Sequence, residues 1–292
     1  MPIRSGISVV MITRNEGRQV RLTVENLEDT LPAGSQIAVV DDGSTDASAD
    51  FLARRRGRVR LHRARGLGVA RARNFGAART TGGIVVFADA HIRADSGWWR
   101  PLCGLLEDPA TGAVAPAITG LNPGDRIGYG ITFKDAKLDV TWRRARPKGP
   151  VAVPILPGCC FAMRRQVLDA TGGWDDGLLT RGNVDNEYCL RLWLAGYELM
   201  VTPEALVRHL FRPQSPYQVY WPEYLFNRLR LAFVHLSPAR LGRVVGELRG
   251  LPGYGEALAM LADSDIASRR RQVLAGRVRD DNWFFNRFAI KC

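Results

Sequence analysis

Cysteine is scarce in this chain, five among 292 residues, and the odd count carries no CxxC pair and no zinc-ligand spacing. That pattern speaks against a disulfide framework or a zinc ribbon. Reduced thiols at Cys103, Cys159, Cys160, Cys189 and Cys292 are expected instead. Lysine is also rare, confined to Lys134, Lys137, Lys148 and Lys291, so the net charge of +12 is carried by arginine. The arginines are scattered apart from knots at Arg54-Arg55-Arg56 and Arg269-Arg270-Arg271. Without an aromatic-and-basic RNA motif or a zinc-finger pattern they do not read as a nucleic-acid interface, but they suit anionic small partners such as phosphates. No apolar run reaches the ~18 residues of a membrane span, and no signal-peptide pattern precedes the first apolar stretch. A cytoplasmic location without a membrane span is therefore expected. Neither an intact GxGxxG nor a P-loop occurs, which disfavours a dehydrogenase or an ATPase.

What is present is strand–helix alternation. Ile7–Thr13, Ile37–Val40, Val59–His62 and Ile84–Ala88 are short apolar runs rich in β-branched residues, and helical patterns separate them. That is the signature of an α/β protein with a doubly wound, mostly parallel sheet. The first run leads into Arg14-Asn15-Glu16-Gly17, the second into Asp41-Asp42-Gly43-Ser44, and the fourth into Asp89-Ala90-His91. Such a sheet opens onto its ligand crevice at the carboxyl ends of its strands, which gathers Asp41, Asp42 and Asp89 at one edge. Asp89 and His91, two residues apart in extended backbone, project the same way and offer an oxygen and a nitrogen ligand. Taken alone, the tripeptide reads equally well as a turn cap beside a surface histidine.

Further along, Ala113–Ile118 contains Pro116 and reads as an edge strand or one past a bend. Residues 120–150 have no clear periodicity and read as an excursion on the acceptor side. Gly158 precedes Cys159-Cys160, where a glycine serves close ligand approach or a bend. Asp185 and Glu187 fall in the first turn of a helix whose apolar face is Leu190, Trp193 and Leu194. From Val219 to about Val245 the pattern is helical, and 246–292 ends in the cluster Trp283-Phe284-Phe285.

The order of these pieces resembles family 2 glycosyltransferases of the GT-A fold, and more closely the catalytic domain of polypeptide N-acetylgalactosaminyltransferases. Arg14-Asn15-Glu16, Asp41-Asp42, Gly66-Leu67 with Arg71-Ala72-Arg73, Asp89-Ala90-His91 with Gly97-Trp98, and His209-Leu210-Phe211-Arg212 with Pro216-Tyr217 carry the likeness, from Ser8 to about Phe233. The resemblance implies a GT-A domain over 1–235 with a helical C-terminal extension over 236–292. It implies Asp89, His91 and His209 as ligands of a divalent metal. A mixed carboxylate and imidazole set suits Mn²⁺, with Mg²⁺ second. Donor contacts are expected from Thr13, Arg14, Asn15, Glu16, Asp41 and Asp42, and from Gly66, Arg71, Arg73, Asp89, Ala90 and Arg212. The implied donor is a UDP-sugar, and the acceptor a hydroxyl or thiol, foremost of a peptide or protein.

One departure bears on stereochemistry. The polypeptide transferases, which retain configuration, carry Glu-Asn where this chain has Val184-Asp185. An Asp at the second position matches the inverting family 2 enzymes, so Asp185 is expected to act as base in an in-line, inverting displacement, with Glu187 orienting the acceptor. The alternatives are a retaining enzyme like the polypeptide transferases, a polysaccharide or small-molecule transferase, and a catalytically silent sugar-nucleotide-binding module.

Overall fold

The computed structural model describes residues 6–291; Cys292 lies outside them. The first half alternates as the pattern demands: β1 (Ile7–Thr13), α1 (Gln19–Thr30), β2 (Gln36–Asp42), β3 (Val59–Ala64), α2 (Gly68–Ala77), β4 (Ile84–Asp89), β5 (Ile92–Ala94) and α3 (Trp99–Leu105). The strands β6 (Thr111–Gly120), β7 (Ile131–Phe133), β8 (Val140–Trp142), β9 (Val151–Ala152) and β10 (Cys160–Arg164) follow. Then come α4 (Arg165–Thr171), α5 (Val184–Leu194) and the long β11 (Glu198–His209). The chain finishes as α6 (Trp221–His235), α7 (Pro238–Leu248), α8 (Tyr254–Ala262), α9 (Ile266–Gly276) and α10 (Asp281–Arg287).

The main sheet runs in the order β3-β2-β1-β4-β10-β6-β11-β5, with β9 beside β11. Its first half is parallel, β1 pairing with β2 and β4, and β2 with β3. The second half is mixed, because β10 lies antiparallel to both β4 and β6 while β11 runs parallel to β6. Alternate residues of the central strands supply two cores. Val10, Val85 and Phe87 face one hydrophobic cluster, and Val9, Met11, Val86 and Ala88 face the other. Both faces of the sheet are thus covered, which is why the strands read as continuous apolar runs. Strand exchange at the centre leaves β1, β4 and β11 ending together, and their last residues bring Thr13, Asp89 and His209 to one cavity.

Several expectations change in this frame. Pro116 sits in an interior strand, between β10 and β11, not on an edge. The pairing of β6 with β11 skips from Thr202 opposite Pro116 to Leu206 opposite Ala117. That bulge lies where the imide cannot donate to the ladder. Residues 120–150 are more than an excursion: β7 and β8 form a small sheet of their own, and Tyr129, Phe133 and Leu138 enter the main core. The helical pattern over 219–245 is two helices, since Pro238 occupies the first turn of α7 behind an extended Ser237 and cannot continue α6.

The tail packs on the same core. Val244, Leu248, Ala257, Leu261, Phe284 and Phe285 belong to the cluster that contains Phe87 and Trp193. Phe284 and Phe285 are fully buried, each stabilising the fold by roughly 1.5–3 kcal/mol through removal of its ring from water. The Arg269-Arg270 part of the second basic knot is used internally: Arg269 pairs with Asp175 at 3.5 Å, and Arg270 donates to the carbonyls of Phe233 and Leu236. Among the described residues no helix is long and apolar enough to cross a membrane.

Candidate active site

A cavity of about 510 Å³ opens at the carboxyl ends of β1, β4 and β11. At its floor Asp89, His91 and His209 each present a ligand atom, and these atoms lie within 4.8 Å of one another. Asp89 Oδ2 is 3.3 Å from His209 Nε2 and 3.9 Å from His91 Nε2. The far nitrogen of His91 is held by Glu16, with Nδ1 to Oε2 at 3.0 Å. A carboxylate on Nδ1 fixes the N–H there and leaves Nε2 as the free lone pair facing Asp89. Glu16 is itself anchored by Arg212. Burial pushes the Asp89 carboxyl up, but the hydrogen bond to His209 and the electrostatic pull of the groups around it, Arg73 among them, outweigh that push and bring it down to about 2. An ionised carboxylate and two imidazoles converging on one point, one of them backed by a second carboxylate, fit a divalent cation. The structure brings together the three residues that the resemblance named, although His209 follows Asp89 by 120 residues.

Of the expected donor residues, Thr13, Arg14, Glu16, Asp42, Arg73, Ala90 and Arg212 also line the cavity. Asn15, Asp41, Gly66 and Arg71 do not. Asn15 accepts from the Thr45 N–H at 2.7 Å and so staples the turns after β1 and β2. Asp41 is buried, accepting from the Ser44 N–H and from Arg63, each at 2.9 Å. Adjacent residues of a strand point to opposite faces, so Asp42 alone of the pair reaches the cavity. Its two oxygens accept from the Leu67 and Gly68 N–H groups at 2.7 and 2.8 Å, capping the start of α2. Gly68 is the glycine of the turn that matters, not Gly66: at φ +74°, a Cβ there would lie 2.9 Å from the Thr180 backbone. Arg71 points to solvent on the outer side of α2.

Arg73, two residues on, is turned inward and buried. Its guanidinium pairs with Asp185, donates to the Gly158 carbonyl at 2.7 Å, and lies 4.0 Å from Asp89. A Cβ at Gly158 would fall 1.9 Å from Asp185 Oδ2, so this glycine makes room for the carboxylate rather than for a bend. Burial raises the Asp185 carboxyl above its usual range, with Arg73 opposing. Glu187 does not share the cavity. It is fully buried, bonded to Arg191 at 2.8 Å and to His235 at 2.9 Å, and the expectation that it orients the acceptor is withdrawn. Two residues along a helix turn the side chain by about 200°, so Asp185 and Glu187 face different surroundings.

The stretch that closes the cavity was only partly legible. Arg181 donates to Ser215 at 3.0 Å, and Tyr217 lies between Arg14 and Arg181, whose guanidinium carbons are 5.2 and 5.8 Å from its ring centre. Thr180, Arg181 and Asn183 gave no sequence signal beyond their place before the acidic turn of α5, because their position depends on α6. Asn227 of that helix exchanges hydrogen bonds with the backbone of Leu179, Arg181 and Gly182 at 2.7–3.0 Å.

The sequence pattern of glycosyl transferase family 2 matches residues 8–172, more than half of the chain, and the protein belongs to that family of enzymes. It is 31% identical over 250 residues to human polypeptide N-acetylgalactosaminyltransferase 15, covering 77% of this chain and 39% of that one. With polypeptide N-acetylgalactosaminyltransferase 11 of Xenopus tropicalis it shares 28% identity over 236 residues, 72% of this chain and 39% of that one. The chain thus spans about two fifths of the length of these curated relatives. Among solved structures, GalNAc-T7 with UDP, GalNAc and Mn²⁺ superposes with a TM-score of 0.80 over 97% of this chain and 57% of that one, at 22% identity. S. aureus TarS in complex with UDP-GlcNAc gives 0.60 over 94% of this chain and 84% of that one, at 14% identity. The architecture is the GT-A fold.

Proposed function

We propose that the protein transfers a hexosyl or N-acetylhexosaminyl group from a UDP-sugar to a hydroxyl of a peptide or protein, with Mn²⁺ held by Asp89, His91 and His209. The observation that carries this reading is the carboxylate-backed Asp–His–His cluster at the floor of a cavity lined by cations. The names of the matched relatives and the ligands in the superposed structures support the donor, the metal and the polypeptide acceptor. A cation held by these three residues would supply charge neutralisation for the departing diphosphate. The chain's own part is to orient and enclose. Glu16 holds His91 in one tautomer and one rotation. Arg14, Arg181 and Arg212 supply guanidinium groups suited to phosphate oxygens. Asp42 rigidifies the turn ahead of α2.

For the stereochemical course, retention is the better-supported reading. The matched relatives are polypeptide N-acetylgalactosaminyltransferases, whose resemblance implies it, and the Asp185 carboxylate is committed to Arg73 and packed under Gly158. Inversion with Asp185 as base keeps one observation in its favour, since burial makes that carboxylate more basic. Incubation with a panel of UDP-sugars and Mn²⁺, with and without chelator, tests the activity through donor hydrolysis. Metal-dependent release of UDP is expected, and no hydrolysis or binding of any donor would overturn the reading. NMR of the product then assigns the course: an α-linked product from an α-linked donor means retention, a β-linked one restores Asp185 as base.

A further inference from the structure

Asn183, immediately before α5, stands out on three independent counts. Its backbone is left-handed at φ +54°, a conformation that is uncommon for non-glycine residues, asparagine being among the more tolerant. It lines the cavity while only 7% exposed. Its side-chain oxygen accepts from Asn186 at 3.0 Å, but its Nδ2 is buried without a hydrogen-bond partner. An amide donor left unmade in the interior costs free energy, and strained backbone persists only where the surroundings over-determine it.

The surroundings do so here. Gly182, just before Asn183, has φ +91° and sits against the Tyr224 ring. Asn227, fully buried on α6, donates to the carbonyls of Leu179, Arg181 and Gly182. Val69 of α2 donates to Thr180 at 2.8 Å, and Asp185 is tied to Arg73 on the same helix. The 180–185 segment is therefore a wall along α2, running from the Asp42–Gly68 turn to the Arg73–Asp185 pair beside Asp89. On the donor reading above, phosphates at Asp89, His91 and His209 would leave the transferred sugar near that wall, which lines the same cavity.

We propose that Asn183 is a specificity-determining residue whose Nδ2–H donates to an oxygen of the transferred sugar, a hydroxyl or an acetamido carbonyl, and that the wall, anchored by Asn227 of α6, aims it. This rests on the UDP-sugar reading above and names the group that reads the sugar rather than the nucleotide. The test compares UDP with UDP-sugars (UDP-Glc, UDP-Gal, UDP-GlcNAc and UDP-GalNAc) by calorimetric titration in Mn²⁺ on the full chain, taking the tightest sugar forward. Asn183→Gly removes the donor and relieves the left-handed strain, so its melting temperature is expected not to fall. Asn183→Asp keeps the shape and the tolerance for positive φ but cannot donate.

In both variants the ratio of the UDP-sugar Kd to the UDP Kd is expected to rise about tenfold, the typical net worth of one hydrogen bond. With Asn183→Gly the UDP Kd itself stays within about twofold. A ratio unchanged in both variants, while the wild type binds UDP-sugar, overturns the role of Asn183 alone. A wild type that binds no UDP-sugar in Mn²⁺ overturns it together with the proposed function.

Discussion

The chain builds two clusters from the same kinds of side chain, and they end up with opposite fates. One is Glu16, Asp89, His91, His209 and Arg212 at the open ends of the strands. The other is Asp175, Glu187, Arg191, Arg230 and His235, sealed between α5, α6 and α9. In the first, the lone pairs of Asp89, His91 and His209 converge on shared space and belong to no protein donor completely. In the second, the charges face protein partners. Arg230 grips both oxygens of Asp175 at 2.7 and 2.9 Å and Asp265 at 2.7 Å. Glu187 is held by Arg191 and His235 and is kept well below the usual carboxylate range, the charge of Arg191 and the hydrogen bond to His235 exceeding the upward push of burial. Acid, imidazole and guanidinium in one helix or strand motif do not distinguish a site from a brace. What distinguishes them is whether the polar valences are spent inside the protein.

The largest expected effect falls on the open cluster. Asp89→Ala removes the central carboxylate and is expected to lower metal-dependent UDP release by about two to three orders of magnitude, with little change in unfolding by urea. An unaltered rate would show that the cluster is not where the chemistry occurs. Arg230→Met should do the reverse. It leaves buried Asp175 with only its longer pair to Arg269, and urea unfolding is expected to report a loss of about 3–5 kcal/mol, whereas the molecules still folded keep their Mn²⁺ affinity. Equal losses of stability and affinity would erase the distinction between the two clusters.

Glu16→Gln is a finer probe. Its amide retains the shape but no longer anchors His91 as an anion, so Mn²⁺ affinity measured by titration is expected to weaken about 10- to 100-fold. Indifference would mean that His91 is held by packing alone. The smallest effect is on pH dependence of stability. Burial lowers the His235 pKa below its ordinary 6.5 and outweighs the attraction of Glu187, while Glu187 lies below its ordinary 4.5. Each group binds more protons unfolded than folded. The stability His235 contributes is therefore complete above 6.5 and declines as pH falls below it, and that from Glu187 follows below 4.5. Between about pH 7.5 and pH 5.5 the melting temperature should fall by roughly 2–4 °C, and His235→Gln should flatten that slope. A melting temperature that rises on acidification would mean His235 is buried as a cation.

Legibility in the sequence followed locality. β1, β2, β3 and β4 were visible because each is a β-branched run bounded by turn residues, and their carboxyl ends offered Asp41, Asp42, Asp89 and His91 without reference to anything distant, whereas Glu16 was named through the resemblance. The interior place of Pro116 was not visible, because the bulge that accommodates it is on β11, far along the chain. Nor was the difference between Asp185 and Glu187. Both are first-turn acids of one helix, and only the elements packed against α5 make one a cavity wall and the other a buried brace.

By itself, then, the sequence determined the α/β alternation and, through the order of its short motifs, the family, since strand periodicity, turn chemistry and short motifs are properties of neighbouring residues. The tertiary structure decided the rest: the antiparallel β10 at the centre of the sheet, the pairing of Arg73 with Asp185, the sealing of Glu187, and the strained Asn183 held by Asn227. Each of these depends on which distant partner satisfies a charge or a backbone group, and that is settled only when the helices have closed over the sheet.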